Sequence, residues 1–121
     1  MVDESKEIRQ AVHNKPPLSI QSLRVFVRKA LDSTGAIILD DHCRQHMRER
    51  HFDVNDVLNV LDNGNYYKYK PEYDPKRDNW MFFVVGEDLD GKRLKILFCI
   101  EQADTKIRVI SGQRFSKGKR V

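Results

Sequence analysis

"NWMFFVVGEDLDGKRLKILFCIE", residues 79–101, is the stretch that decides the fold. Asp90-Gly91 lies in "DLDGKR" between two β-like runs, and this dipeptide suits a tight hairpin because glycine takes positive φ without steric cost. The first run is apolar on both alternating faces, Trp80, Phe82 and Val84 against Met81, Phe83 and Val85. That pattern predicts a central strand covered on both sides. In the second run Leu94, Ile96, Phe98 and Ile100 make a single apolar face.

Two further β-like runs flank the hairpin, "NYYKYKPEY" (65–73) before it and "TKIRVIS" (105–111) after it, and together they predict a four-stranded antiparallel meander. Upstream the period becomes helical. In "LSIQSLRVFVRKALDSTG" (18–35), Ser19 is an N-cap and Ile20, Leu23, Val27, Ala30 and Leu31 share one face, so an amphipathic helix ends near Gly35. "FDVNDVLNVLDNG" (52–64) offers Asp53 as N-cap with Asp56 three residues on, an apolar stripe of Val54, Val57, Leu58 and Leu61, and Gly64 past its end. Ala36–Leu39 is too short for a helix and is either a short strand or an extended lead into the next element. Helices before strands give an α+β fold, N-terminal helices packed on a four-stranded antiparallel sheet.

The 121 residues suffice for one domain. The reading is an N-terminal arm over 1–17, broken by the prolines of "KPP", one α+β domain over 18–111, and a basic tail over 112–121. Of 22 Lys and Arg against 18 Asp and Glu, Arg114, Lys117, Lys119 and Arg120 fall in that tail, so the excess charge is terminal. Such a tail reaches nucleic acid phosphates or an acidic partner by releasing counterions, or is a solubilising end. No apolar run approaches a membrane span and the N-terminus lacks a secretory signal, which predicts a cytoplasmic chain without a membrane partner. Cys43 and Cys99 lack the close spacing of a metal knuckle and read as reduced, buried thiols.

The candidate chemistry lies in "DHCRQHMRERH" (41–51), which holds three of the four histidines. On a helical wheel His42, His46 and Arg50 form one line on the shoulder of the apolar stripe, where neighbours orient side chains and shift their pKa values. Two histidines four apart suit zinc, but no third ligand is apparent and the glutamate of the metalloprotease motif is missing, so no metal and no cofactor is expected. Metal-independent RNA cleavage needs a base, an acid and cations at the phosphorane, and this line has those residue types. His42, His46 and Arg50 are therefore the candidate catalytic residues. Arg44 and Arg48 are candidate RNA contacts, with Lys68 from "YYKYKPEY" and Arg114 and Lys117 from the tail. A solvated helix face and a lysine-guarded edge strand are the plain alternatives for the first and second of these segments.

"HCRQHMRERHFDVNDVLNVLDNG" together with "VVGEDLDGKRLKILFCIE" resembles an uncharacterised bacterial domain-of-unknown-function family. Its pattern is His-Ala-x-x-Arg-Met-x-x-Arg, then a second helix, then strands around Gly-x-Asp-x-x-Gly-x-x-Leu. His42, Met47, Arg50, Val57, Gly64, Gly86, Asp88, Gly91 and Leu94 fall on it, over roughly Ile37 to Ile110. His46 replaces the usual arginine and Cys43 the usual alanine. The family is grouped with RelE-like toxins of toxin-antitoxin systems, so the resemblance implies a RelE-like fold and either endoribonuclease or RNA-binding activity, with RNA and an antitoxin-like protein as the partners it suggests. The alternative is a non-catalytic RNA- or protein-binding module using the same basic helix.

Overall fold

The structure, a computed structural model, describes residues 17–101 and 105–115. Their elements are α1 (Ile20–Leu31), β1 (Ile37–Leu39), α2 (Asp41–Arg50), α3 (Val54–Asn63), β2 (Glu72–Asp74), β3 (Asn79–Glu87), β4 (Arg93–Glu101) and β5 (Lys106–Arg114). Lys117 and most of the proposed arm lie outside the described residues.

The fold is α+β, but its sheet has five strands and is mixed, in the order β1-β5-β4-β3-β2, where four antiparallel strands were expected. The added strand is Ile37–Leu39, which runs parallel to β5 with Ile37, Ile38 and Leu39 opposite Ile107, Arg108 and Val109. Three residues carry no readable period, and the partner strand is far along the chain. β4, flanked by β3 and β5, is the central strand; β3 lies next to the short β2.

"NYYKYKPEY" is a strand only at its end. The Asn65 side chain accepts from the Tyr67 amide at 2.8 Å and bends the chain, leaving one bridge between Asn65 and Val85. Tyr66 then turns into the core, where its hydroxyl donates to Leu61 O at 2.6 Å. β5 continues to Arg114, so an ordered strand enters the segment read as tail.

The helices begin where the sequence places their caps. Ser19 Oγ accepts from Ser22 N at 3.2 Å. Asp53 and Asp56 form a reciprocal capping box, and Asp56 Oδ1 also accepts from Leu89 N at 2.9 Å, tying α3 to the β3–β4 hairpin. Gly64 ends α3 in an extended conformation: a Cβ there would lie 2.5 Å from Val84 Cγ2 and 2.4 Å from Val60 O, so close approach to β3 requires glycine.

Leu23, Val27 and Ala30 of α1, Val57, Val60 and Leu61 of α3, and the sheet face Phe82, Val84, Leu94, Ile96, Phe98, Ile100, Ile107 and Val109 bury together. Each fully buried aliphatic contributes about 1.5–3 kcal/mol by leaving water. Met81, Cys99 and Ile110 make a smaller cluster. Among the described residues no helix is long and apolar enough to cross a membrane.

Candidate functional site

α2 is fastened to β5 at both ends. Asp40 is its N-cap, accepting from His42 N at 3.4 Å, while its own amide donates to Val109 O at 2.9 Å. Asp40 also pairs with Arg108 at 3.4 Å, and Arg108 pairs with Glu101. At the other end His51 takes a left-handed conformation with φ 55°, an unusual but accessible place for histidine, and turns the chain so that Phe52 enters the core. The Phe52 ring lies against Gly112 of β5, where a Cβ would sit 2.2 Å from Cζ.

Between these anchors His42, His46 and Arg50 come together as the wheel requires, yet they are not equivalent. His42 is exposed and His46 is buried, with their ring centroids 4.1 Å apart. His46 Nδ1 lies 2.8 Å from Ser111 Oγ and 3.2 Å from Arg50 Nη1. A guanidinium only donates, so Nδ1 accepts and the imidazole proton belongs on Nε2. Burial first, then the charges of Arg50 and His42, hold the His46 pKa below the ordinary imidazole range, so His46 is neutral at pH 7.

Arg50 is more committed than the sequence implies. Its Nη1 also donates to Gly112 O at 2.6 Å. β1 pairs with β5 only as far as Val109, so beyond it the α2 side chains take the place of a neighbouring strand.

Arg114 is not a free tail cation. Its Nε donates to Arg50 O and its Nη2 to His51 O, each at 2.7 Å, closing the C-terminal end of α2. Its Nη1 lies 2.7 Å from Asp88 Oδ2, an ion pair held by charge without an aligned hydrogen bond. Asp88 is buried, and its Oδ1 accepts from Asp90 N and Lys92 N at 2.9 and 2.8 Å. Burial alone would raise its pKa; the Lys92 and Asp90 amides and the Arg114 guanidinium outweigh that and hold the carboxyl below its usual range. Asp88 lies on the pattern that carries the resemblance, and Ser111 is a neutral residue within β5 that gives no sequence signal.

Arg44 and Arg48 are exposed, but at about 100° per residue they project roughly 200° and 240° around α2 from His42 and face away from the imidazole pair. Lys68 is exposed in the α3–β2 connection, three residues after Asn65, which bridges to β3, two strands from β5. The structure therefore gathers His42, His46, Arg50, Ser111 and Arg114, and leaves Arg44, Arg48 and Lys68 apart. Cys43 is buried beside the pair, and burial pushes its thiol up to about 11, so it is no nucleophile at neutral pH. Among the described residues no group of three His, Cys, Asp or Glu side chains is placed to hold a metal ion.

The model of a family described as Domain of unknown function (DUF4258) matches residues 39–111, more than half of the chain. The chain belongs to this family. The DUF4258 region begins at the last residue of β1 and ends at Ser111, the residue that touches His46. It contains His42, His46, Arg50 and Asp88, while α1 and Arg114 lie outside it. No curated protein and no solved structure matches the chain.

Proposed function

We propose that this protein is a toxin-like, metal-independent endoribonuclease with a RelE-like fold, acting in the cytoplasm and held in check by an antitoxin-like protein. The observation that carries the reading is the imidazole pair: exposed His42 with its ring 4.1 Å from the buried, neutral His46. His42 takes the proton of the RNA 2'-hydroxyl. The 2'-oxygen then attacks phosphorus, the bond to the 5'-oxygen breaks, and that oxygen is protonated by solvent at this open face. His46, fixed with its proton on Nε2, donates a hydrogen bond to a non-bridging phosphate oxygen. Arg50 sets the His46 tautomer and adds positive charge where the phosphorane builds negative charge. Both cysteines being buried and unpaired fits a reducing compartment.

The test is cleavage of RNA in EDTA. The expected products carry 2',3'-cyclic phosphate ends, and His42→Ala is expected to lower the rate by about a hundredfold or more while the thermal melt stays unchanged. Expression is expected to slow growth in wild type and not in His42→Ala. Intact RNA with and without ribosomes, and no difference between the two proteins, would refute it.

A second reading has its own support. Arg50 is bonded to Gly112 O and His46, so the line fastens helix to sheet, which is what a non-catalytic binding module would need. RNA binding that weakens steeply with salt, without cleavage, would favour that reading.

A further inference from the structure

The face of the sheet opposite α1 and α3 carries a second cluster that the imidazole pair does not use. Tyr69 packs on Phe83 of β3 with ring centroids 5.9 Å apart. The Lys95 ammonium of β4 rests 3.8 Å from the Tyr69 centroid and 4.7 Å from that of Phe83. All three side chains are half-buried; Tyr69 lies in the chain between exposed Lys68 and Lys70, and Tyr67, two residues earlier, is 66% exposed. Lys95 has no carboxylate partner among the described residues; its contacts are the two rings. A cation resting on aromatic faces can move to a phosphate and leave those faces to a base.

Register connects this cluster to the candidate site. Phe83 pairs with Leu97, and Leu97 pairs with Ser111, so the three form one row across β3, β4 and β5. Paired residues put their side chains on the same face. Val85, Lys95 and Gln113 form the adjacent row. Neither row contains an acidic residue; the flanking acids are Glu72, opposite Met81, Glu87, opposite Arg93, and Glu101, which is tied to Arg108. Two strand spacings separate Phe83 from Ser111, roughly 10 Å, within reach of a short stretch of single-stranded RNA.

We propose that Tyr69, Phe83 and Lys95 form a stacking subsite for an unpaired base and its phosphate, next along the strand from the phosphate held at His42 and His46. This rests on the ribonuclease reading for what lies at the far end of the row, and it names the substrate class: single-stranded RNA. Duplex RNA keeps its base faces stacked and offers nothing to the rings.

The experiment uses a fluorescent, single-stranded 2'-O-methyl RNA oligonucleotide, which cannot be cleaved, so binding is read apart from catalysis. Wild-type protein binds it, and Tyr69→Leu weakens binding by roughly fivefold to a hundredfold, the range for loss of one base stack. Tyr69→Phe binds as wild type does, which separates stacking from folding. Lys95→Ala lowers the salt slope by about 0.7, one phosphate contact on a single strand. Equal affinity of Tyr69→Leu and wild type, or no binding by wild type at low salt, overturns the proposal. Binding that depends on Tyr69 without cleavage of natural RNA removes the ribonuclease reading and leaves the subsite standing. Cleavage that is indifferent to Tyr69→Leu does the reverse.

Discussion

Replacing Asp88 by alanine removes the anchor on which the end of β5 and the end of α2 both depend. Its carboxylate is buried, receives the Asp90 and Lys92 amides at 2.9 and 2.8 Å, and faces Arg114 Nη1 at 2.7 Å. A hydrogen bond to a charged group contributes about 1.5–3 kcal/mol, and breaking a buried ion pair from one side costs about 3–5 kcal/mol because the other charge stays behind. These terms overlap, so Asp88→Ala is expected to cost about 4 kcal/mol and to lower Tm by roughly 15 °C in a domain of this size. The measurement is urea unfolding at pH 7, with an unchanged m-value showing that the denatured state is the same.

The pH dependence checks the cause. The native Asp88 carboxyl titrates below its ordinary value. Its stabilisation is therefore fully present above the unfolded-state pKa of about 3.9 and is lost as pH falls through the lower native value. The gap between wild type and Asp88→Ala is expected to stay constant from neutral pH down to about pH 5 and to close in stronger acid. A cost below about 1 kcal/mol, or a gap that persists undiminished at the lowest pH where wild type still folds, would refute the account.

Gly112→Ala puts a Cβ 2.2 Å from the tip of the buried Phe52 ring and is expected to destabilise by about 1–3 kcal/mol in urea titration. For His46, whose native pKa is depressed, the unfolded chain takes the proton first. Wild-type stability is thus expected to fall as pH drops below about 6.5, and that part of the slope to vanish in His46→Gln; NMR titration is expected to give His46 a midpoint below 6.5.

Local chemistry was legible in the chain. Ser19 and the Asp53–Asp56 pair mark their helix starts, Asp90-Gly91 turns the hairpin with Gly91 at φ 80°, and Leu23, Val27 and Ala30 of the α1 stripe and Val57 and Leu61 of the α3 stripe are buried, although Val54 is exposed and Val60, outside the stripe, is buried. Each of these depends on neighbours within a few residues, where periodicity and capping act. The i, i+4, i+8 spacing likewise aligns His42, His46 and Arg50 on one line of α2.

What only the tertiary structure decided are the facts that join distant segments. A three-residue strand has no period to read, so β1 exists because β5 offers it an edge to pair with. Arg114 looked like a tail charge and is held by Asp88, Arg50 and His51 because β5 carries it there. The difference between an exposed His42 and a buried, neutral His46 comes from Ser111 and from the packing of α2 on β5, more than sixty residues later. Sequence determines which side chains share a helix face; burial and long-range partners determine their protonation state and which of them solvent can reach.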